Sequence, residues 1–385
     1  MGLTSVWRTS LRAILLLVAL GTACTPRPVQ QTVPGSAVEN RAVYPAVEWE
    51  RLEKPEAAGW TEADLDAVRA RLKALPTSGF MAVVGGRVLM DYGDVKVVSY
   101  LASVRKSILA MLYGNYVASG KVRLDRTLAE IGIDDIGGLT AEEKQATVRD
   151  LLTARSGVYH PASNAGDDLA NAPPRGSQKH GTYYLYSNWD FNALGTIFEK
   201  ETGRDIYDAL ESDLAKPIGM QDFDRATHRR TGDASQSIHL AYHMNLSTRD
   251  MARIGYVMLR QGNWAGRQLV PREWVREITT AATPVSEMNP STLRKGPFGY
   301  GCLWWIWEGP FATGGYRGAY TGLGAIGQQI TVIPALDLVV AHKTVPDQGK
   351  SVSHAQYLEV LDVLVQAGCR QPGCLLYTSD AADEL

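Results

Sequence analysis

The chain is poor in cysteine, with 4 among 385 residues. No Cys/His cluster has the spacing of a structural zinc site, which excludes a zinc-stapled fold. No glycine-rich loop of the P-loop kind is present, so the simplest phosphate cradle is missing. Long runs of one charge are also missing, and 39 basic against 41 acidic residues leave a formal net charge of −2. A balance so near neutrality offers no electrostatic reason to expect nucleic acid or an acidic membrane surface as partner. With 45% hydrophobic and 21% charged residues the composition is that of a soluble globular protein. The length allows one large domain or two ordinary ones.

The hydrophobic run near the start is short. Arg8 and Arg12 precede Ala13 to Leu20, a stretch too brief to hold a bilayer as a stable anchor. Gly21-Thr22-Ala23 and then Cys24 follow, so residues 1–23 read as a bacterial-type secretory signal. The expected location is therefore the cell envelope or the outside of the cell. Cys24 is the expected lipidation site, with plain signal cleavage as the alternative. Leu20 stands one position further from the cysteine than lipoprotein signals place it. Residues 24–45 are rich in Pro, Gln, Val and Ser and read as an unstructured tether. At the other end, residues 374–385 resemble the translation of a sequencing adapter and are set aside from fold reasoning. Cys302 and Cys369 remain; an exported protein permits a bridge, but spacing alone does not establish one.

Against these absences stands Ser103-Val104-Arg105-Lys106. A serine three residues before a lysine at a helix start puts hydroxyl and amine on one face. Such a pair can serve as nucleophile and base. A chain of this length contains about one S-x-x-K by chance, so a polar helix face is the plain alternative and context must decide.

The context is a change of period along the chain. Thr61-Glu62-Ala63-Asp64 opens a helix with its stripe on Leu65, Val68, Leu72 and Leu75, closed by Pro76. Phe80–Val84 and Val88–Tyr92 read as strands joined through Gly85-Gly86. Ser103 opens a second helix with Val104, Ile108, Leu112 and Tyr116 on its apolar face. Helices are expected at Glu142–Ala154, Asn192–Glu201, Ile206–Leu214 and Thr248–Gln261. Strands are expected at Tyr300–Trp307, Gln328–Ile333 and Leu338–His342, and a closing helix at Gln356–Ala367. Strands near both ends with helices between them predict an α/β (α+β) fold. Its antiparallel sheet is built from both ends of the mature chain, and a mainly helical subdomain at roughly 121–280 is inserted in one domain spanning 46–373. The cleft at that junction is where a site is expected.

Two further elements fit such a site. Tyr186-Ser187-Asn188 lies in a polar loop before the next helix. Its phenol can shuttle protons if nearby cations lower its pKa, and its amide can bind a substrate or the lysine. Tyr113-Gly114-Asn115 repeats the pattern inside a helix, where Tyr113 is expected to pack. Gly322-Leu323-Gly324-Ala325-Ile326-Gly327-Gln328 reads as a strand preceded by glycines, an edge against which a substrate can lie. The backbone N–H groups of Ser103 and Ala325 are candidates to hold an oxyanion.

From about Trp60 to Ala367 the chain resembles the serine β-lactamase-related family, which includes class C β-lactamases, D-Ala-D-Ala peptidases, esterases and 6-aminohexanoate-oligomer hydrolases. The resemblance rests on Ser103-Val104-Arg105-Lys106, Asp150-Leu151-Leu152-Thr153-Ala154-Arg155-Ser156-Gly157, Tyr186-Ser187-Asn188 with Gly195, Met244 to Arg253, Gly299-Tyr300-Gly301 and Gly324 to Gln328 with Pro334. It implies a β-lactamase/transpeptidase-like fold and a serine hydrolase with catalytic Ser103, Lys106 and Tyr186. Asn188, Gly324 and Ala325 would bind substrate or oxyanion, and no metal or organic cofactor is needed. The implied partner is a small ester or amide, with a membrane approached only through lipid at Cys24. Where the family commonly carries Lys-Thr-Gly, this chain has Gly322-Leu323-Gly324 or, one register back, Tyr320-Thr321-Gly322. The missing lysine argues for an esterase or amidase over a β-lactamase or D,D-peptidase. Arg317 is a candidate substitute cation, though a solvated loop arginine is the plainer reading. Trp189, Trp304, Trp305, Trp307 and Tyr320 are candidates for an apolar acyl pocket, not all of which can face it. His160 and His180 are expected to be structural. A protein that acylates without turnover is the alternative of another class.

Overall fold

The computed structural model describes residues 42–344 and 349–369. The leader, Cys24, most of the tether and the tail 374–385 lie outside the described residues.

Seven strands form one antiparallel sheet: β1 (Gly79–Val84), β2 (Arg87–Gly93), β3 (Phe298–Tyr300), β4 (Trp305–Trp307), β5 (Tyr320–Gly324), β6 (Gln328–Ile333) and β7 (Leu338–Lys343). Their spatial order is β2-β1-β7-β6-β5-β4-β3, so the first hairpin joins strands from the far end of the chain. Gly85 and Gly86 turn that hairpin with φ of 60° and 87°, the left-handed pair a two-residue link demands.

Alternation divides the sheet's two faces. Phe80, Ala82 and Val340 lie in a core with Leu65, Val68 and Leu72 of α1 (Glu62–Lys73) and Leu361 and Leu364 of the closing helix His354–Gly368. Met81, Val83, Ile330, Val332 and Val339 lie in the opposite core, under α2 (Val104–Ala118), α3 (Asn188–Thr202) and α4 (Thr248–Leu259). Each such aliphatic side chain contributes about 1.5–3 kcal/mol by leaving water. The helix α4 lies close on the sheet because Gly255 has no side chain. A Cβ there would stand 2.4 Å from Val339 Cγ1. Capping boxes set two helix starts, Thr61 with Asp64 for α1 and Ser353 with Gln356 for the closing helix.

Several expected elements differ. Glu142–Ala154 is not one helix: a 3-10 turn ends at Gln145, and Thr147 caps a separate helix Val148–Leu152 with Asp150. Ile206–Leu214 divides into Ile206–Ala209 and a π-helical segment Leu210–Ala215. The helix expected from Asn192 begins at Asn188. Tyr300–Trp307 is two strands, since Leu303 turns the chain with φ 62°. The inserted region also holds short hairpins that polar sequence hid, such as Arg229–Thr231 with Ala241–His243. Cys302 is a buried free thiol and Cys369 is disulfide-bonded, so they do not bridge each other.

Candidate active site

The helix α2 is buried all round from Val104 to Gly114. Arg105 and Lys106 are therefore enclosed with it, each 2% exposed. Ala102, just before Ser103, takes a left-handed φ of 49°, and this turn presents Ser103 at the helix start with its hydroxyl partly exposed. Such backbone strain costs on the order of 1–3 kcal/mol and collects at functional sites.

Lys106 Nζ is the hub. It lies 2.9 Å from Ser103 Oγ, 2.7 Å from Tyr186 Oη and 2.7 Å from Asn188 Oδ1. Asn188 is oriented by its own Nδ2, which donates to the Ala165 carbonyl at 2.9 Å, and its backbone N–H donates to Asp167. Its oxygen thus faces the lysine. Phe191 and the Tyr186 ring flank the amine at 4.5 and 4.4 Å. Burial first, and then the neighbouring Arg105 charge, hold the Lys106 amine well below the ordinary lysine value, with Asp167 pulling the other way. Of its three neighbours Asn188 Oδ1 can only accept. A neutral amine can donate to Asn188 and Tyr186 and still accept from the serine hydroxyl.

For Tyr186 the condition of a pKa lowered by nearby cations is not met. Its phenol lies within hydrogen-bonding reach of Ser103, and Arg105 favours the phenolate, yet burial outweighs both and raises the pKa above the ordinary tyrosine value. Tyr186 is a proton-bearing phenol at neutral pH. Its ring packs on Phe191, Tyr300 and Trp305.

The glycine-rich element is not one strand, and it is an edge only in part. It is the end of β5, a turn at Ala325–Gly327 with Ile326 at φ 61°, and the start of β6. The strand β5 lies between β6 and β4, but its pairing with β4 ends at Thr321, so Gly322–Gly324 has a strand neighbour on one side only. Gly324 packs on the residues before the nucleophile, where an added Cβ would stand 2.7 Å from the Leu101 carbonyl oxygen. That close approach brings Ala325 to the same cavity as Ser103. The turn is held from behind by His342, whose Nδ1 lies 2.6 Å from the Gly327 carbonyl and whose Nε2 lies 2.9 Å from Thr77 Oγ1. Both contacts are satisfied by the neutral ring with its proton on Nδ1.

Ser103, Tyr186, Gly324 and Ala325 open on a cavity of about 630 Å³ walled by Leu293, Phe298, Trp305, Leu323 and Leu358. Lys106 and Asn188 lie behind Ser103. Of the proposed aromatic wall only Trp305 lines the cavity. Trp189 donates to Asp135, Trp304 packs against Tyr320, and Trp307 stacks on Tyr316. Arg317 is exposed and does not line the cavity. Among the described lining residues none is lysine or arginine, and the one carboxylate is Asp168. Burial and the adjacent Asp167 raise its pKa. His160 bonds backbone carbonyls and His180 bonds Asp150, both away from the cavity. Sequence reasoning missed Asp168, Phe298, Leu293 and His342. The Asp167-Asp168 pair ahead of Tyr186 was an available signal for the first; the others carried none.

An alcohol whose proton can pass to a buried amine, beside two backbone amides at one cavity, is the apparatus of a serine hydrolase. The flanked antiparallel sheet is the β-lactamase/transpeptidase-like fold. The chain belongs to the Beta-lactamase family, whose profile matches residues 65–348. It is 23% identical over 335 residues to a 6-aminohexanoate-dimer hydrolase of Paenarthrobacter ureafaciens, covering 80% of this chain and 82% of the relative. Among solved structures it is similar to a β-lactamase from Mycobacterium bovis. That match has a TM-score of 0.56 and 22% identity, over 78% of this chain and 99% of the other. It is also similar to EstCE1, a hydrolase with promiscuous acyltransferase activity, with a TM-score of 0.58 and 15% identity over 81% and 99%.

Proposed function

We propose that the protein is an exported serine hydrolase that cleaves carboxyl esters or linear amides through an acyl-Ser103 intermediate. The observation that carries this reading is the buried Lys106 amine, within hydrogen-bond reach of Ser103, Tyr186 and Asn188 at once. Neutral Lys106 takes the Ser103 proton as Oγ attacks the substrate carbonyl. The carbonyl oxygen becomes an oxyanion between the N–H groups of Ser103 and Ala325, each such donor being worth about 3 kcal/mol. The lysine passes its proton to Tyr186, which delivers its own to the departing alcohol or amine. Water then attacks the acyl-enzyme, its proton returns along the same path, and Ser103 leaves with a proton as the acid departs.

The cavity supports a choice of substrate class. Its wall is apolar and its charged group is Asp168, so a carboxylate beside the scissile bond meets no lysine and one like charge. This favours neutral or ammonium-bearing esters and amides over β-lactams and D-alanyl peptides. The relative named a 6-aminohexanoate-dimer hydrolase supports the amide part of this choice. Export is supported by the leader-like residues 1–23.

The test is p-nitrophenyl butyrate turnover by the wild type and by Ser103→Ala. Turnover is expected in the first and lost in the second, with a fluorophosphonate adduct on Ser103 by mass spectrometry. Retained turnover in the variant overturns the reading. A stable acyl adduct without turnover identifies a sensor that acylates only.

A further inference from the structure

Arg105 has a position that neither fold nor substrate contact explains. It is 2% exposed on α2. Its Nη2 donates to Asn192 Oδ1 of α3 at 3.0 Å, and its Cζ lies 4.3 Å from the centre of the Tyr242 ring. Both supports are themselves fixed. Asn192 Nδ2 donates to Asn164 Oδ1 at 2.8 Å, and Tyr242 packs on Gly195, where a Cβ would stand 2.6 Å from the ring. Nη1 is buried without a hydrogen bond of normal geometry, near the equally orphaned Tyr242 hydroxyl. Among the described residues no carboxylate forms an ion pair with this guanidinium. Arginine is almost never fully buried unless paired, because the lost hydration must be offset. A methionine or leucine would fill the same space without that penalty.

The next residue is Lys106. We propose that Arg105 is a positioning residue of the reaction: its uncompensated buried charge, clamped by Asn192 and Tyr242, keeps the neighbouring Lys106 amine neutral and able to accept the Ser103 proton. The inference rests on the reading of Lys106 as base. Like charges in a low-dielectric interior disfavour a second cation, and burial first and then the same guanidinium lower the pKa of His243 as they do that of Lys106. The groups facing this pair from other elements are few. Tyr100, Tyr207, Tyr242 and His243 are uncharged at neutral pH; Arg229 acts on His243 and Arg230 on Tyr207 and Tyr242 with the same sign as Arg105; Asp167 opposes at Lys106. Tyr186 feels Arg105 too, but its burial dominates, so the phenol keeps its proton.

The test follows Ser103 acylation by a fluorophosphonate against pH, reading the second-order rate by intact-protein mass. The wild-type rate rises with pH along the Lys106 titration. Arg105→Gln keeps a partner for Asn192 and removes the charge. Its acid limb is expected to move up by ~1 pH unit, with a rate ~10-fold lower below the midpoint and an alkaline plateau within about threefold. Arg105→Lys retains the charge and the wild-type midpoint. Should Arg105→Gln not fold, Arg105→Met removes the orphaned polar atoms and gives the same shift. A wild-type midpoint in the charge-removing variants, with a rate lowered equally at every pH, overturns the proposal and leaves Arg105 structural. Lys106→Met separates the two readings. If it acylates with the wild-type pH profile, the base assignment and this inference fall together. If it is inactive while Arg105→Gln is unshifted, this inference alone falls.

Discussion

The chain contains Tyr-x-Asn twice, and the two copies have different fates. Tyr113 and Asn115 sit within α2; Asn188 opens α3 and Tyr186 lies two residues before it. In both copies the tyrosine pKa is raised by burial, so burial does not separate them. The partner does. Tyr113 donates to the Leu194 carbonyl at 2.6 Å and Asn115 to the Leu269 carbonyl at 2.8 Å, contacts that end in backbone. Tyr186 and Asn188 instead meet a lysine amine, which can change its proton. A phenol facing a carbonyl closes a hydrogen bond; a phenol between an amine and an alcohol has the contacts a proton path needs.

This contrast can be broken by substitution. Tyr186→Phe is expected to lower p-nitrophenyl butyrate turnover by ~10²–10⁴-fold with an unchanged thermal midpoint. A loss under threefold would remove Tyr186 from the proton path and make the two copies equivalent. Gly324→Val asks whether the motif suffices without the facing turn. Its side chain meets the Leu101 carbonyl and displaces the Ala325 amide, so kcat should fall by ~10²–10³-fold. Asn188→Ala removes one acceptor from the lysine and is expected to cost about 10–100-fold in kcat/KM.

Acid separates stability from chemistry. Burial lowers the His342 pKa to about 4, against an ordinary value near 6.5, despite the Gly327 carbonyl drawing it up. Between those values the unfolded chain binds more protons. This contribution is therefore complete above about pH 6.5 and is lost as pH falls through 4. The urea midpoint should drop between pH 7 and pH 5, and His342→Gln should flatten that drop. Smallest of all, Tyr113→Phe should leave turnover within about twofold and cost about 1 kcal/mol in urea unfolding. If it alters the pH–rate profile, α2 carries a second proton path.

Much was readable locally. Helix α1 with its Thr61 cap, the Gly85-Gly86 hairpin and β6 follow from period and turn chemistry, which act over a few residues. Elements failed where a local cue was outweighed. Glu142–Ala154 reads as one helix until Thr147 starts a new capping box, and Tyr300–Trp307 as one strand until Leu303 turns. Trp304 thereby left the cavity and Trp305 stayed. The sign of the Tyr186 shift was not legible because desolvation depends on what surrounds a ring, and its neighbours Tyr300 and Trp305 are over a hundred positions away.

The order of residues alone determined which groups were available: one Ser-x-x-K, a Tyr-x-Asn ahead of a helix, and a glycine run without a lysine. It also determined which groups share a helix turn, because backbone geometry is local. Only the tertiary structure chose Tyr186 over Tyr113, set Gly324 against Leu101, and enclosed Arg105 with no counter-ion among the described residues. Those outcomes depend on burial and on contacts between distant segments. Proton affinity in a site of this kind is set by the dielectric and charges around a group, which the spacing of letters does not encode.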